Sequence, residues 1–166
     1  MGRAEHKQNH SRSGKTGRRR AELRVVVNGP DQLASIREQL RGLLIGEGVG
    51  VSEREAIVLA TAEALDNALL ACRPPDCRVE VLVSLIAHYV CIEVRDAGAG
   101  IRGACLNLPK LADAGEEHGR GLYLMRELTE SLELVPRSQG TLVRMTKLLG
   151  GHEPTNESTD GTRLAS

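Results

Sequence analysis

Glu63-Ala64-Leu65-Asp66-Asn67 lies inside an apolar run over residues 51–72. Val58, Ala62, Leu65, Leu69 and Cys72 recur there at helical spacing, which predicts one long helix with a buried stripe. Glu63 and Asn67 are one helical turn apart, so they stack on a second face with Ala56, Ala60, Leu70 and Ala71. That face is also apolar. A carboxylate and a carboxamide set into it cost on the order of several kcal/mol each unless a partner satisfies them. An exposed Glu and Asn on an alanine-rich helix is the plain alternative, and the pair alone does not choose between the two.

Working outward, Ser52 with Glu55 predicts a capping box at the start of this helix, and Arg73-Pro74-Pro75-Asp76 breaks its end. Upstream, residues 23–27 form a β-rich run stopped by Asn28-Gly29-Pro30. Asp31 can cap a helix whose apolar face is Leu33, Ile36, Leu40, Leu43 and Leu44, with residues 46–50 ending it. Downstream, residues 78–86 and 89–95 read as strands around Ala87-His88, with Val79, Val81, Val83 and Leu85 on one face of the first. Val90, Ile92 and Val94 share a face of the second, and His88 is expected at a solvent-facing turn. Asp96-Ala97-Gly98-Ala99-Gly100 follows, then a polar, irregular segment to His118. Gly119-Arg120-Gly121 is expected to open a helix over residues 122–130 with Leu124, Met125 and Leu128 inward. Residues 132–135 and 141–148 close the chain as a strand pair around Arg137-Ser138-Gln139-Gly140. The order β-α-α-β-β-loop-α-β-β predicts an α+β two-layer sandwich, a mixed, mostly antiparallel sheet covered on one face by helices.

The 166 residues suit one domain with a real core. Aromatic residues are 1% of the chain, two Tyr with no Phe or Trp, so the core must be aliphatic. The same scarcity removes the stacking platforms that single-stranded nucleic acid needs, and no direct nucleic-acid partner is expected. Residues 79–94 are interrupted by Glu80, His88 and Glu93, so no membrane span is expected. No apolar segment follows the basic residues at the start, so neither is a signal peptide. Cys72, Cys77, Cys91 and Cys105 lack paired ligand spacing and read as buried free thiols of a reducing, cytoplasmic protein.

A net charge of zero conceals an asymmetry. Residues 1–20 hold seven Lys/Arg (Arg3, Lys7, Arg12, Lys15, Arg18, Arg19, Arg20) against Glu5, and the rest of the chain carries the opposite excess. Residues 1–21 are expected to be a disordered basic arm, residues 22–149 the folded domain and residues 150–166 a disordered tail. Ser13-Gly14-Lys15-Thr16 resembles the end of a phosphate-binding loop, but Asn9 stands where its first Gly belongs and no strand precedes it.

Three separated features ask for one explanation: the Glu63/Asn67 pair, Asp96 at a strand end with Gly98 and Gly100 beyond it, and Gly119-Arg120-Gly121 at a helix start. Glycines let a ligand approach the backbone, and an Asp held at a strand end accepts from an amino group. Free amides and the dipole of a helix start favour anionic oxygens. One ligand with an amino-bearing base, a phosphate tail and a metal would satisfy all three.

In order and spacing, Glu63-x-x-x-Asn67, Asp96-x-Gly98-x-Gly100, Gly119-Arg120-Gly121-Leu122-x-Leu124-Met125 and Gly140-Thr141 resemble the boxes of the GHKL ATPase superfamily, whose fold is the Bergerat ATP-binding fold. The short interval between the second and third boxes, without an upstream acceptor-histidine hairpin, resembles the anti-sigma-factor serine/threonine kinases of the RsbW and SpoIIAB type. The resemblance covers about residues 23–149. It implies ATP and Mg²⁺ as ligands, with Asn67 on the metal and Glu63 as general base. It also implies Asp96 on the adenine amino group supported by Thr141, and Gly98 and Gly100 lining the adenine pocket. Gly119, Arg120, Gly121 and Leu122 would lie at the phosphates, with residues 106–118 as a lid. The partners it implies are an anti-anti-sigma protein of the STAS type, which is phosphorylated, and a sigma factor, which is sequestered; a homodimer is left open. Ala71 and Asp66 depart from the family, where His and Thr or Ser are usual. Asp66 points about 100° away from Asn67 on a helix, which implies a solvent role. The competing readings are a nucleotide-holding sequestering module without useful transfer and a detached histidine-kinase catalytic domain. Retention of Glu63 favours the kinase.

Overall fold

Alternation builds the sheet. In β2 (Val79–Ile86) and β3 (Tyr89–Arg95), Val79, Val81, Val83, Leu85, Val90, Ile92 and Val94 all fall on one face and are fully buried. The computed structural model describes residues 19–72, 78–100 and 117–150. Its elements run β1 (Arg19–Val27), a 3-10 turn (Pro30–Gln32), α1 (Leu33–Gly46), α2 (Val51–Ala71), β2, β3, α3 (Glu117–Leu128), β4 (Ser131–Pro136) and β5 (Thr141–Leu148). One five-stranded sheet in the order β1-β2-β3-β5-β4 carries the fold, an α+β architecture as the element order predicts.

Every described strand pair is antiparallel, so the sheet is not mixed among the described residues. The connections explain why. Two consecutive helices, α1 and α2, return the chain between β1 and β2, which reverses its direction. Strands β3 and β4 do run the same way, but β5 is inserted between them and pairs antiparallel with both.

Helix α2 is the hub, packing against α1, α3 and the strands β2, β3 and β5. The expected single stripe is too narrow a description. Ile57, Val58, Ala60, Thr61, Ala62, Ala64, Leu65 and Ala68 are buried, which takes in most of the circumference, while Leu69 is only half-buried. The alanines make this possible, because small side chains let three neighbours approach one helix. Thr61 Oγ1 donates to Ile57 O at 2.7 Å, so its buried hydroxyl is satisfied within the helix. Each fully buried Leu or Ile of this layer contributes about 1.5–3 kcal/mol.

Several expected local signals gave way to tertiary contacts. Ser52 and Glu55 form no capping box: Gly50 is the N-cap, with no side-chain cap, and Glu55 is engaged by Arg41 instead. Asp31 lies inside the 3-10 turn rather than capping α1, whose N-cap is Gln32. The first strand begins at Arg19, earlier than the β-rich run suggested, because its pairing with β2 extends to Arg19 opposite Ile86; Arg20 is also anchored at the far end of α1. Its Nη2 reaches Glu47 O at 3.2 Å and Glu47 Oε2 at 3.1 Å. Helix α3 begins at Glu117, so Gly119 and Arg120 lie in its first turn instead of preceding it. His88 is exposed at the β2–β3 turn, where Ala87 has φ 54°. The breaker over residues 73–76, the arm before Arg19 and the tail beyond Gly150 lie outside the described residues. Cys72 and Cys91 are free thiols, Cys72 buried as expected and Cys91 only half-buried, whereas Cys77 and Cys105 fall outside that range. Among the described residues no helix is long and apolar enough to cross a membrane.

The face of the sheet away from the helices carries charge. Arg144 Nε donates to Glu93 Oε1 at 3.0 Å and its Nη1 to Glu133 Oε2 at 3.2 Å, and Arg95 pairs with Glu93 from the other side. Partial burial pushes the Glu93 carboxyl up, but hydrogen bonds from Arg95 and Arg144 outweigh it and hold the group below its ordinary value.

Candidate active site

Asp96 leaves the end of β3 and is 6% exposed. Its Oδ1 accepts from Gly98 N at 2.8 Å and its Oδ2 from Thr141 N at 3.2 Å. Its own N–H donates to Thr141 O at 3.0 Å, which ties the residue to the first position of β5. A carboxylate offers about four lone-pair sites, so these two amides fix its orientation and still leave acceptor capacity for an amino group.

Glycine is demanded around it. Gly140 has φ +75°, and a Cβ there would stand 1.9 Å from Asp96 O. A Cβ on Gly98 would meet Ala71 O at 2.3 Å, which brings the Asp96 loop against the last residue of α2. Gly100 lies against the carbonyl of Gly140. Sequence reasoning quoted Gly140 with Thr141 in the last box but gave a role only to Thr141; the place of Gly140 at the end of the Arg137-Ser138-Gln139 turn was the signal for its own.

One turn before Ala71 stands Asn67, and one turn before that Glu63. The backbone of α3 comes directly against both. A Cβ on Gly121 would be 3.0 Å from Glu63 Oε2, 3.2 Å from Asn67 Nδ2 and 3.6 Å from Asn67 Oδ1. The absent side chain therefore keeps a cradle open between the two helices. Glu63 and Asn67 are half-buried, and their face is only partly the buried apolar surface expected: Ala60 is fully buried and Ala56 half-buried, whereas Leu70 is 75% exposed and Ala71 is exposed. Among the described residues no hydrogen bond claims either side chain, so both polar groups remain available.

Arg120 is exposed in the first turn of α3, and Leu122 is half-buried against the core. The lid expected over residues 106–118 lies outside the described residues, apart from Glu117 and His118, which belong to α3. Asp66 turns to Arg37 of α1 at 3.8 Å and does not join Asn67. Among the described residues no group of three or more His, Cys, Asp or Glu gathers in a metal-holding arrangement.

A groove of about 340 Å³ opens between α1 and α2 beside Glu63, lined also by Arg37, Arg41, Glu55 and Leu59. Arg41 Nη2 contacts Glu55 Oε2 at 3.2 Å and Nη1 contacts Glu38 Oε1 at 2.8 Å. The hydrogen bond from Arg41 holds the Glu55 carboxyl below its ordinary value. Sequence reasoning missed this groove, since its walls come from two helices whose mutual register no local pattern encodes.

Residues 26–147 match the family described as the histidine kinase-like ATPase domain. No curated protein matches the sequence. Among solved structures, one similar chain is that of the RsbU and RsbW domains of Rv1364c from Mycobacterium tuberculosis, with a TM-score of 0.61 and 20% identity. The match covers 80% of this chain and 34% of that one, so the present chain spans about a third of its length. The likeness is one of fold.

Proposed function

The chain belongs to the histidine kinase-like ATPase domain family, and on that premise we propose that it is an ATP- and Mg²⁺-dependent serine/threonine protein kinase that also acts as an anti-sigma factor. ATP binding follows from the family. The observation that carries the kinase reading is the convergence of Glu63, Asn67 and the bare backbone of Gly121 at the end of the fold where Asp96 is held. In this reading residues 22–149 form the nucleotide-binding unit.

The residues fit the ligand part by part. Asp96 accepts from the adenine amino group, with Thr141 orienting the carboxylate and Gly98 and Gly100 clearing space for the ring. Gly119, Arg120, Gly121 and Leu122 take the phosphate end: the amides of Gly119 and Arg120 lie in the first turn of α3 and are open to anionic oxygens, while Gly121, just past it, leaves room beside Glu63 and Asn67 and Leu122 packs on the core. Asn67 offers an unclaimed carboxamide oxygen and would hold Mg²⁺. An ion that keeps several waters and takes phosphate oxygens needs few protein ligands, which suits a site without a carboxylate cluster. The metal would neutralise charge on the phosphates. Glu63 would take the proton of an incoming hydroxyl, while the remaining residues position the reactants, the main demand of phosphoryl transfer.

The acceptor in this reading is an anti-anti-sigma protein of the STAS type, and the sequestered partner is a sigma factor, both met in the cytoplasm. The fold shared with the RsbU and RsbW domains of Rv1364c supports this branch. A sequestering module without transfer is the alternative, and the availability of Glu63 beside the cradle favours the enzyme. The reading is tested by transfer of labelled γ-phosphate to the proteins that co-purify with the chain. Loss of transfer with partner capture intact would favour the module.

Two binding measurements examine the site directly. Asn67→Ala is expected to weaken Mg²⁺-ATP binding while leaving the thermal midpoint near wild type, since the residue is half-buried beside other alanines. Isothermal titration with unchanged Mg²⁺-ATP affinity in that variant would remove Asn67 from the metal. For the base, ATP should outcompete GTP by roughly tenfold to a hundredfold, because the guanine oxo group faces Asp96 acceptor to acceptor and an unpaired buried group costs about 1–3 kcal/mol. Equal competition by the two nucleotides would show that Asp96 does not read the base.

A further inference from the structure

We propose that the groove between α1 and α2 receives the chain's own basic N-terminal arm, and that Ser11 or Ser13 of that arm is phosphorylated there in cis. The inference rests on the kinase reading and adds an acceptor to it. Glu63 lines the groove, and its Oε2 stands at the cradle beside Gly121, so a hydroxyl at the Glu63 end of the groove would lie next to the general base.

The charges of the groove select its occupant. Arg37 is already paired with Asp66, and Arg41 with both Glu38 and Glu55. Arg54 also contacts Glu55, at 3.6 Å, so three guanidinium groups meet four carboxylates, and Glu63 is the carboxylate left without a cation among the described residues. An acidic segment would find these cations engaged, whereas a basic segment finds a free carboxylate. Residues 9–20 read Asn9-His10-Ser11-Arg12-Ser13-Gly14-Lys15-Thr16-Gly17-Arg18-Arg19-Arg20, with five basic residues, no acidic one and three hydroxyl acceptors.

Reach narrows the acceptor. Arg20 is fixed at Glu47, just past the end of α1. From there to the level of Arg37 is ten helical residues, about 15 Å, and crossing to the neighbouring helix adds a lateral step of about 8–10 Å. An extended chain spans at most about 3.3–3.6 Å per residue, so Thr16, four residues from Arg20, falls short at about 14 Å. Ser13 and Ser11, seven and nine residues away, reach about 24 and 31 Å.

In the step itself the serine oxygen forms a bond to the γ-phosphorus of ATP, the bond from that phosphorus to the β-phosphate oxygen breaks, and the hydroxyl proton passes to Glu63. The products are ADP and phosphoserine. Each phosphate adds about 1.5–2 negative charges to the arm, which weakens its hold on the acidic groove and releases it.

The test is to incubate the full chain with Mg²⁺ and γ-labelled ATP over a dilution series, and to map phosphate by tandem mass spectrometry with ATP affinity measured in parallel. Phosphate is expected on Ser11 or Ser13, with a rate constant unchanged on dilution. It should be lost in the Ser11→Ala/Ser13→Ala variant. Glu38→Lys/Glu55→Lys should slow it on the order of tenfold by removing the local attraction, with ATP affinity retained. An unmodified arm in a chain that binds ATP overturns the inference, as does a rate that rises with protein concentration. In the first case, transfer to a co-purified partner decides whether the kinase reading survives. A chain that does not bind ATP at all overturns both.

Discussion

Glu63→Gln is expected to lower phosphate transfer to the partner protein by about 10²–10⁴-fold, the usual worth of general-base help, while nucleotide affinity stays near wild type. The base acts on the incoming hydroxyl and contributes little to holding the nucleotide in the ground state. Gln keeps the shape and hydrogen-bonding capacity of the side chain beside Gly121 but cannot accept the proton. It also removes a half-buried charge for which no cation partner exists among the described residues, so folding stability should not fall. The assay pairs transfer from labelled ATP with nucleotide affinity and sigma-factor pull-down on the same variant. Undiminished transfer in Glu63→Gln would place the base elsewhere. Failure of both wild type and variant to phosphorylate, with capture of the sigma factor intact, would identify a sequestering module.

Gly140→Ala should have the largest effect on the fold. Two costs combine: the left-handed backbone, φ +75°, and a methyl group placed 1.9 Å from the carbonyl oxygen of Asp96. Strained backbone and forced overpacking each cost about 1–3 kcal/mol, so a loss of roughly 2–5 kcal/mol is expected, or about 4–20 °C in Tm at this chain length. The displacement falls on the Asp96–Thr141 clamp, so ATP affinity should drop with stability. Gly42→Ala is the control. It sits in α1 with nothing within 4 Å of the added methyl, and removing a helix-interior glycine should stabilise by about 0.5–1 kcal/mol. Thermal melts of the two variants should move in opposite directions. A Gly140→Ala protein melting with the wild type would show that the β4–β5 turn can yield, and that the clamp on Asp96 is looser than its distances imply.

The elements themselves were legible in the sequence because periodicity is a local property. Alternating Val in residues 79–94 specifies paired strands with one buried face, and helical spacing around Val58, Ala62 and Leu65 specifies α2 wherever its neighbours lie. The residues with unusual chemistry were legible for the same reason: an Asp followed by alternating glycines, and a carboxylate four residues before a carboxamide, stand out without knowledge of the fold. What tertiary structure alone decided is everything that depends on distance along the chain. Asp96 and Thr141 are separated by 45 residues, yet their mutual hydrogen bonds orient the carboxylate. Arg41 takes Glu55 away from the capping role that its spacing to Ser52 suggested. The Glu63/Asn67 face expected to be buried is a half-open cradle, buried at Ala60 and exposed at Leu70, and the approach of Gly121 completes it. Such contacts are set by how helices and strands pack together, and a sequence pattern that repeats every two or 3.6 residues carries no information about which surface will arrive opposite it.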